Sequence, residues 1–178
     1  MTQLLNDKMN AGFFAKMKGQ GRSPLKVDAH SMIVGGIGGF ITISLLTLLS
    51  NWSSALWLMA PFGASCVLAF GLWESPLSQP RNIIGGHFLS ALTGLVMFHL
   101  FGTHFWSMAL ATSLAIILMM LTRTTHPPAG ANPVLVMLAG SGWSFLLTPV
   151  LSGSLILVAA ALVINNLDKR RKYPSFWL

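Results

Sequence analysis

The densest set of residues able to act on a ligand is His126-Pro127-Pro128-Ala129-Gly130-Ala131-Asn132. It combines one ionisable ring, one side-chain amide and a run of small residues. Proline removes a backbone donor and glycine weakens a helix, so a helix opening here is interrupted and leaves N–H groups unpaired. The positive end of such a helix favours an anion. An echo lies upstream: Pro61-Phe-Gly-Ala-Ser-Cys-Val-Leu68 aligns with Pro128-Ala-Gly-Ala-Asn-Pro-Val-Leu135, with Pro, Gly, Ala, Val and Leu in register. Gly63, Ala64 and Ser65 in one copy match Gly130, Ala131 and Asn132 in the other. The small residues admit a ligand to the backbone, and Ser65 and Asn132 add donors. Pro61 and Pro128 open the two copies.

The charges around these motifs point the same way. Arg81 and Arg123 are the only fixed positive charges near them. Asn82 and His87 follow Arg81, and His126 can be charged or neutral around an ordinary pKa of about 6.5. A cation path would draw on acidic side chains or rings of carbonyls, and only Glu74 is at hand. The substrate-binding candidates are therefore Pro61, Gly63, Ala64, Ser65, Arg81, Asn82, His87, Arg123, His126, Pro128, Gly130, Ala131 and Asn132. Plainer roles stand beside these. The arginines also serve as topology anchors, His126 as a turn residue before proline, and His87, His99 and His104 as packing or interface residues. His87 and His99 are about 120° apart around a helix and do not form a haem pair. Ser65 and His126 resemble a nucleophile and base, but Gly63-Ala-Ser-Cys66 lacks the second glycine of a nucleophile turn, and no acid is placed to orient the histidine. No catalytic residue, metal or cofactor is expected. Cys66 is the only cysteine, which excludes an internal disulfide or a four-cysteine metal site.

The elements that position these residues are membrane helices. The chain has 178 residues, of which 53 % are hydrophobic and 8 % charged, far below the quarter or so typical of soluble domains. Between Ala29 and Leu167 the only charges are Glu74, Arg81 and Arg123. The net charge of +7 is split between two tails that flank apolar spans. It reads as anchoring beside anionic lipid, not as a nucleic-acid surface. Met32–Ser50, Ile83–Phe101, Phe105–Leu121 and Phe145–Asn165 read as four full spans. Ala55–Trp73 and Pro127–Trp143 read as Gly/Pro-broken or re-entrant helices. The expected fold is an all-α membrane bundle built as a two-fold internal repeat, with halves near residues 30–102 and 103–167. The halves are inverted if the broken segments cross and parallel if they re-enter.

The tails complete the expected layout. Residues 1–29 form a basic tail without the apolar core of a signal peptide; Leu5, Met9, Phe13 and Met17 suggest a helix lying on the membrane, with a disordered basic tail as the alternative. Residues 168–178 form a basic tail. With every basic residue on one side, both termini are cytoplasmic, in a cell inner membrane. Rows of small residues, Gly35 with Gly39 and Gly86 with Ser90 and Gly94, predict close helix approach. So small a bundle also predicts a homo-oligomer.

His126–Asn132, Pro61–Ser65, and Ser75-Pro-Leu-Ser-Gln-Pro-Arg-Asn82 followed by Gly85-Gly-His87 occur in order. Together they resemble the HPP family of small integral membrane proteins, roughly from Val34 to Ile164. Members in chloroplast envelopes and cyanobacteria are linked to nitrite transport. The resemblance therefore implies a transporter for nitrite or a similar small anion, and it carries over no agreed site residues; the alternatives are an intramembrane enzyme and a non-transporting membrane assembly subunit. The residues add one sharp geometric expectation: the two broken segments meet at their helix starts inside the bilayer, because neither can expose freed backbone groups to lipid.

Overall fold

The computed structural model describes residues 12–17, 21–23, 28–53 and 55–177. All its regular elements are helical. A five-residue helix, α1 (Phe13–Met17), falls within the stretch read as a surface helix; Leu5 and Met9 lie outside the described residues. The membrane body comprises α2 (Ala29–Ser53), α3 (Pro61–Cys66), α4 (Pro80–Phe101), α5 (Phe105–Leu121), α6 (Asn132–Leu138) and α7 (Ser152–Leu167). A π-type turn extends α3 to Gly71. A tight 3₁₀ stretch, Pro127–Ala131, leads into α6, and a kinked stretch, Trp143–Leu151, leads into α7 with Thr148 off helical geometry.

Among the described residues, three helices are long and apolar enough to cross a membrane: α2, α4 and the kinked Trp143–Leu167. The shorter α5 has 17 residues. The two Gly/Pro-rich segments are broken helices, as their punctuation predicts. The α3 helix runs antiparallel to α2, because Gly39 lies beside Cys66 and Gly35 beside the Phe70 carbonyl. It runs parallel to α7, with Gly153 against Phe62 and Asn165 against Ala69. The segment 126–138 runs parallel to α4, with Gly86 against His126, Ser90 against Ala129 and Gly94 against Pro133. One end of the bundle therefore gathers His30, Arg81, Thr122 and Asp168. The other gathers Trp52, Trp57 and the stacked His99–Trp143 pair.

Helix α4 organises the second broken segment. Asn82, Gly86, Ser90 and Gly94 recur every four residues and form one stripe. Their small size lets the His-Pro-Pro segment lie against the helix. A Cβ on Gly86 would come within 2.7 Å of the His126 Cβ, and one on Gly94 within 2.7 Å of the Pro133 Cα. The polar members reach carbonyls of that segment: Asn82 Nδ2 donates to Thr125 O at 2.8 Å, and Ser90 Oγ donates at 2.6 Å to Ala129 O, which also accepts from the Asn132 N–H.

The first broken segment is finished differently. Its wide turn exposes two carbonyls, and residues near the chain's other end take them. Asn165 Nδ2 donates to Ala69 O at 3.0 Å and Arg171 Nη1 to Phe70 O at 2.9 Å. An unpaired carbonyl in hydrocarbon costs several kcal/mol, so these bonds let the helix stop there. Arg171 also bonds Asn165 Oδ1 and Ser31 O and covers the Trp73 ring at 3.9 Å. Burial lowers its pKa from the ordinary guanidinium value, while Asp168 opposes that shift. The Tyr173 hydroxyl donates to Ser78 O at 2.8 Å, and burial raises its pKa. The tail after α7 is thus folded onto the bundle by Arg171 and Tyr173.

Candidate functional site

The two echo motifs meet. Ser65, one turn into α3, places its hydroxyl 2.8 Å from His126 Nε2 and 2.8 Å from His87 Nε2. The three side chains come from three elements: α3, α4 and the loop before Pro127. His126 Nδ1 lies 2.8 Å from Leu77 O. Asn132 Nδ2 lies 3.1 Å from His87 Nδ1 and 3.0 Å from His87 O. The imidazole rings are 5.0 Å apart, and Phe62 packs edge-on against His87 at 5.1 Å. Ser65, His87, His126 and Asn132 are each 0 % exposed.

The bonding chemistry fixes every proton in this chain. A carbonyl only accepts, so the His87 carbonyl holds the Asn132 NH₂ toward itself. That NH₂ then donates to His87 Nδ1, which leaves the His87 proton on Nε2, pointing at Ser65 Oγ. At the other end the Leu77 carbonyl requires the proton of His126 on Nδ1, so His126 Nε2 accepts from the Ser65 hydroxyl. The two ends agree: both rings are neutral, and the donors run from Asn132 through His87, Ser65 and His126 to Leu77.

The meeting differs from the expected one in two respects. The segments lie side by side and antiparallel, so their starts do not point head-on. Their first N–H groups are also not free: Phe62 N and Gly63 N bond to Met59 O and Ala60 O, and Ala129 N bonds to His126 O. The physical reason is that of the fold itself. A polar group in an apolar bundle closes on the nearest internal partner. Ser65 and Asn132 supply donors, as their chemistry suggested, but these donors engage the histidines. Among the candidate site residues the buried atoms without a partner are two acceptors, Asn82 Oδ1 and Asn132 Oδ1.

The other candidates fall into two groups. Pro61, Ala64, Pro128 and Ala131 line one side of an open hollow of about 600 Å³, next to the chain of bonds. Gly63 and Gly130 are not pressed against protein, since a Cβ on either meets nothing within 4 Å. Arg81 and Arg123 stay out of the cluster. Arg81 Nη2 donates to Thr122 O at 2.8 Å, which sets it beside the turn carrying the exposed Arg123. Arg123 adopts a left-handed φ of 57°. His99 and His104 take packing and capping roles, His99 stacked on Trp143 and His104 at the start of α5. The sequence reading missed Leu77, whose backbone oxygen fixes the His126 tautomer; a carbonyl leaves no trace in residue identity.

Comparison with known proteins agrees with this architecture. A transmembrane protein of Dictyostelium discoideum is 37 % identical over 177 residues, covering 93 % of this chain and 57 % of the relative. A second from the same organism is 42 % identical over 128 residues, covering 67 % of this chain and 45 % of the relative. The chain thus spans about half the length of these relatives. No solved structure matches it. The sequence matches the family described as HPP, transmembrane region, over residues 24–174, a span holding both broken helices and the whole histidine chain, and the protein is a member of that transmembrane family.

Proposed function

We propose that this membrane protein is a transporter or channel for a small monovalent anion, and that nitrite is the substrate the family resemblance favours. The observation that carries the reading is the junction of the two broken segments at Ser65 and His126. It lies beside an open hollow and on the same side of the bundle as Arg81 and Arg123. Paired Gly/Pro-interrupted segments in matching places are the usual mark of a transport site. The two arginines concentrate anions at that end, and among the described residues no acidic side chain bonds to the Ser65–His87–His126 cluster. In this reading the six segments cross in alternating directions and the halves form an inverted repeat. Residues 30–167 form the membrane domain, both termini lie in the cytoplasm, and the membrane is the inner membrane of the cell. A second copy packed over the hollow encloses the path.

An enzymatic reading gains one point from the Ser65–His126 bond, and the same geometry weighs against it. Ser65 is wholly buried, and its hydroxyl is already engaged by His87 as well as by His126. The test is flux of nitrite, nitrate, chloride and formate into liposomes holding the purified protein. Arg81→Gln and Arg123→Gln should slow the transported anion while insertion is retained, and Lys should restore part of the rate by supplying charge without the planar fork. Full flux in both Gln variants would leave the arginines as topology anchors. Cleavage of a labelled membrane substrate, abolished by Ser65→Ala, would favour the enzyme.

A further inference from the structure

We propose that the chain Asn132–His87–Ser65–His126–Leu77 is a proton path, so that protons are the ions coupled to the flux proposed above. Only the coupling rests on that function; the path stands on its own geometry. Each consecutive pair lies within hydrogen-bonding distance, from 2.8 to 3.1 Å. The three central groups, two imidazoles and a hydroxyl, each accept a proton on one atom and release one from the same group.

One passage balances as follows. When the Asn132 amide withdraws, an incoming proton binds His87 Nδ1. His87 releases its Nε2 proton to Ser65 Oγ, Ser65 passes its hydroxyl proton to His126 Nε2, and His126 gives up its Nδ1 proton beside Leu77. One proton enters, one leaves, and both rings finish in the opposite tautomer. The Pro61 carbonyl, 3.2 Å from Ser65 Oγ, is the alternative acceptor that lets the hydroxyl turn between strokes.

Three further observations favour passage over storage. Among the described residues, no carboxylate bonds to either ring, so nothing traps an imidazolium. The titratable groups around the chain are engaged elsewhere: Cys66 sits toward Gly39 of α2, Arg81 is turned to Thr122, and the Tyr173 hydroxyl is bonded to Ser78 O. The ends of the chain are also suited to exchange. Asn132 Oδ1 is a buried acceptor without a partner, where water or an undissociated acid can donate, and its neighbour Ala131 borders the hollow. Leu77 belongs to the half-exposed loop at the basic end. Because the chain draws on both broken segments, separating them interrupts it, which ties proton passage to movement of the halves.

The test uses purified protein in liposomes containing a pH dye, with a potassium diffusion potential set by valinomycin and no anion substrate. Wild type should acidify the lumen faster than empty vesicles. Ser65→Ala, which removes one oxygen and adds no bulk, should slow that by roughly a hundredfold, the scale of a lost positioned proton-transfer group. Ser65→Cys, which keeps a transferable proton, should retain part of the rate. Size-exclusion profiles check that both variants are folded, and Asn replacing His87 provides a second break in the same chain. Wild-type rates equal to empty vesicles, or Ser65→Ala and His87→Asn as fast as wild type, would overturn the path. Nitrite counterflow, measured separately, tests the anion reading. Acidification without counterflow keeps the path and removes the anion. Counterflow without acidification does the reverse.

Discussion

Gly86 and Gly94 should be intolerant of a single methyl group, whereas Gly63 and Gly130 should accept it. At Gly86 a new Cβ meets the His126 Cβ at 2.7 Å and the Thr124 carbonyl oxygen at 2.8 Å; at Gly94 it meets the Pro133 Cα at 2.7 Å. These are backbone or branch atoms and cannot swing aside. Overpacking of this kind costs about 1–3 kcal/mol, against a gain of up to about 1 kcal/mol from replacing a helical glycine by alanine. With the full gain the net loss is about 0–2 kcal/mol for Gly86→Ala or Gly94→Ala. Gly63→Ala meets nothing and keeps the gain. At roughly 2–4 °C per kcal/mol for a chain of this size, Gly86→Ala and Gly94→Ala should melt below wild type by up to about 8 °C, and Gly63→Ala at or above it. Thermal unfolding followed by tryptophan fluorescence in one detergent is the assay. Equal midpoints for Gly86→Ala and Gly63→Ala would refute the cradle in which α4 holds the His-Pro-Pro segment.

The basic end yields further expectations. Arg171→Met should lower the unfolding midpoint and expose the tail to protease, and Arg171→Lys should recover only part, because lysine cannot serve Phe70 O, Ser31 O and Asn165 Oδ1 together; wild-type protease resistance in both would mean that the clasp is incidental. The Asp168 carboxyl is held below its ordinary pKa, first by the Arg170 N–H and further by His30 and Arg171, with burial opposing. Its folded pKa lies below the unfolded value of about 4, so its contribution is complete above that pH and is lost as pH falls through the folded value. Tail protection should therefore hold from pH 7 to about 4 and weaken below, with Asp168→Asn removing the acid step; loss already between about pH 7 and 5 would contradict this. In a Cys66→Ser background, Ser175→Cys should resist an impermeant thiol reagent in intact cells, and labelling from outside would reverse the proposed orientation.

Much of this architecture is written in residue types that punctuate the chain. Pro61, Gly63, Pro127, Pro128, Gly130 and Pro133 mark the two broken helices because proline and glycine act locally, whatever surrounds them. The stripe Gly86–Ser90–Gly94 was legible for the same reason, as small residues at helical spacing leave room for a neighbour. What was not legible depends on long-range pairing. Nothing in His87 alone says that it meets Ser65, and the sequence reading gave it a packing role beside a binding one. The carbonyls of Leu77, Ala69 and Phe70 are invisible in residue identity, so the tautomer of His126 and the clasp by Asn165 and Arg171 could not be read. The expectation of free helix N–H groups failed because it counted donors without counting the carbonyls of the turn just before each helix.

In the function proposed above, a small anion crosses where the two broken segments meet. Ala64 and Ala131 border the same hollow from opposite segments and are both exposed. The direct measurement is nitrite uptake into liposomes by the Ala64→Cys/Ala131→Cys variant in a Cys66→Ser background, before and after a short reducible cross-linker and again after reduction. The account predicts saturable uptake, arrest on cross-linking and recovery on reduction. Uptake that continues unchanged through a completed cross-link would contradict it, as would the absence of saturable uptake of any of the four anions by the wild-type protein.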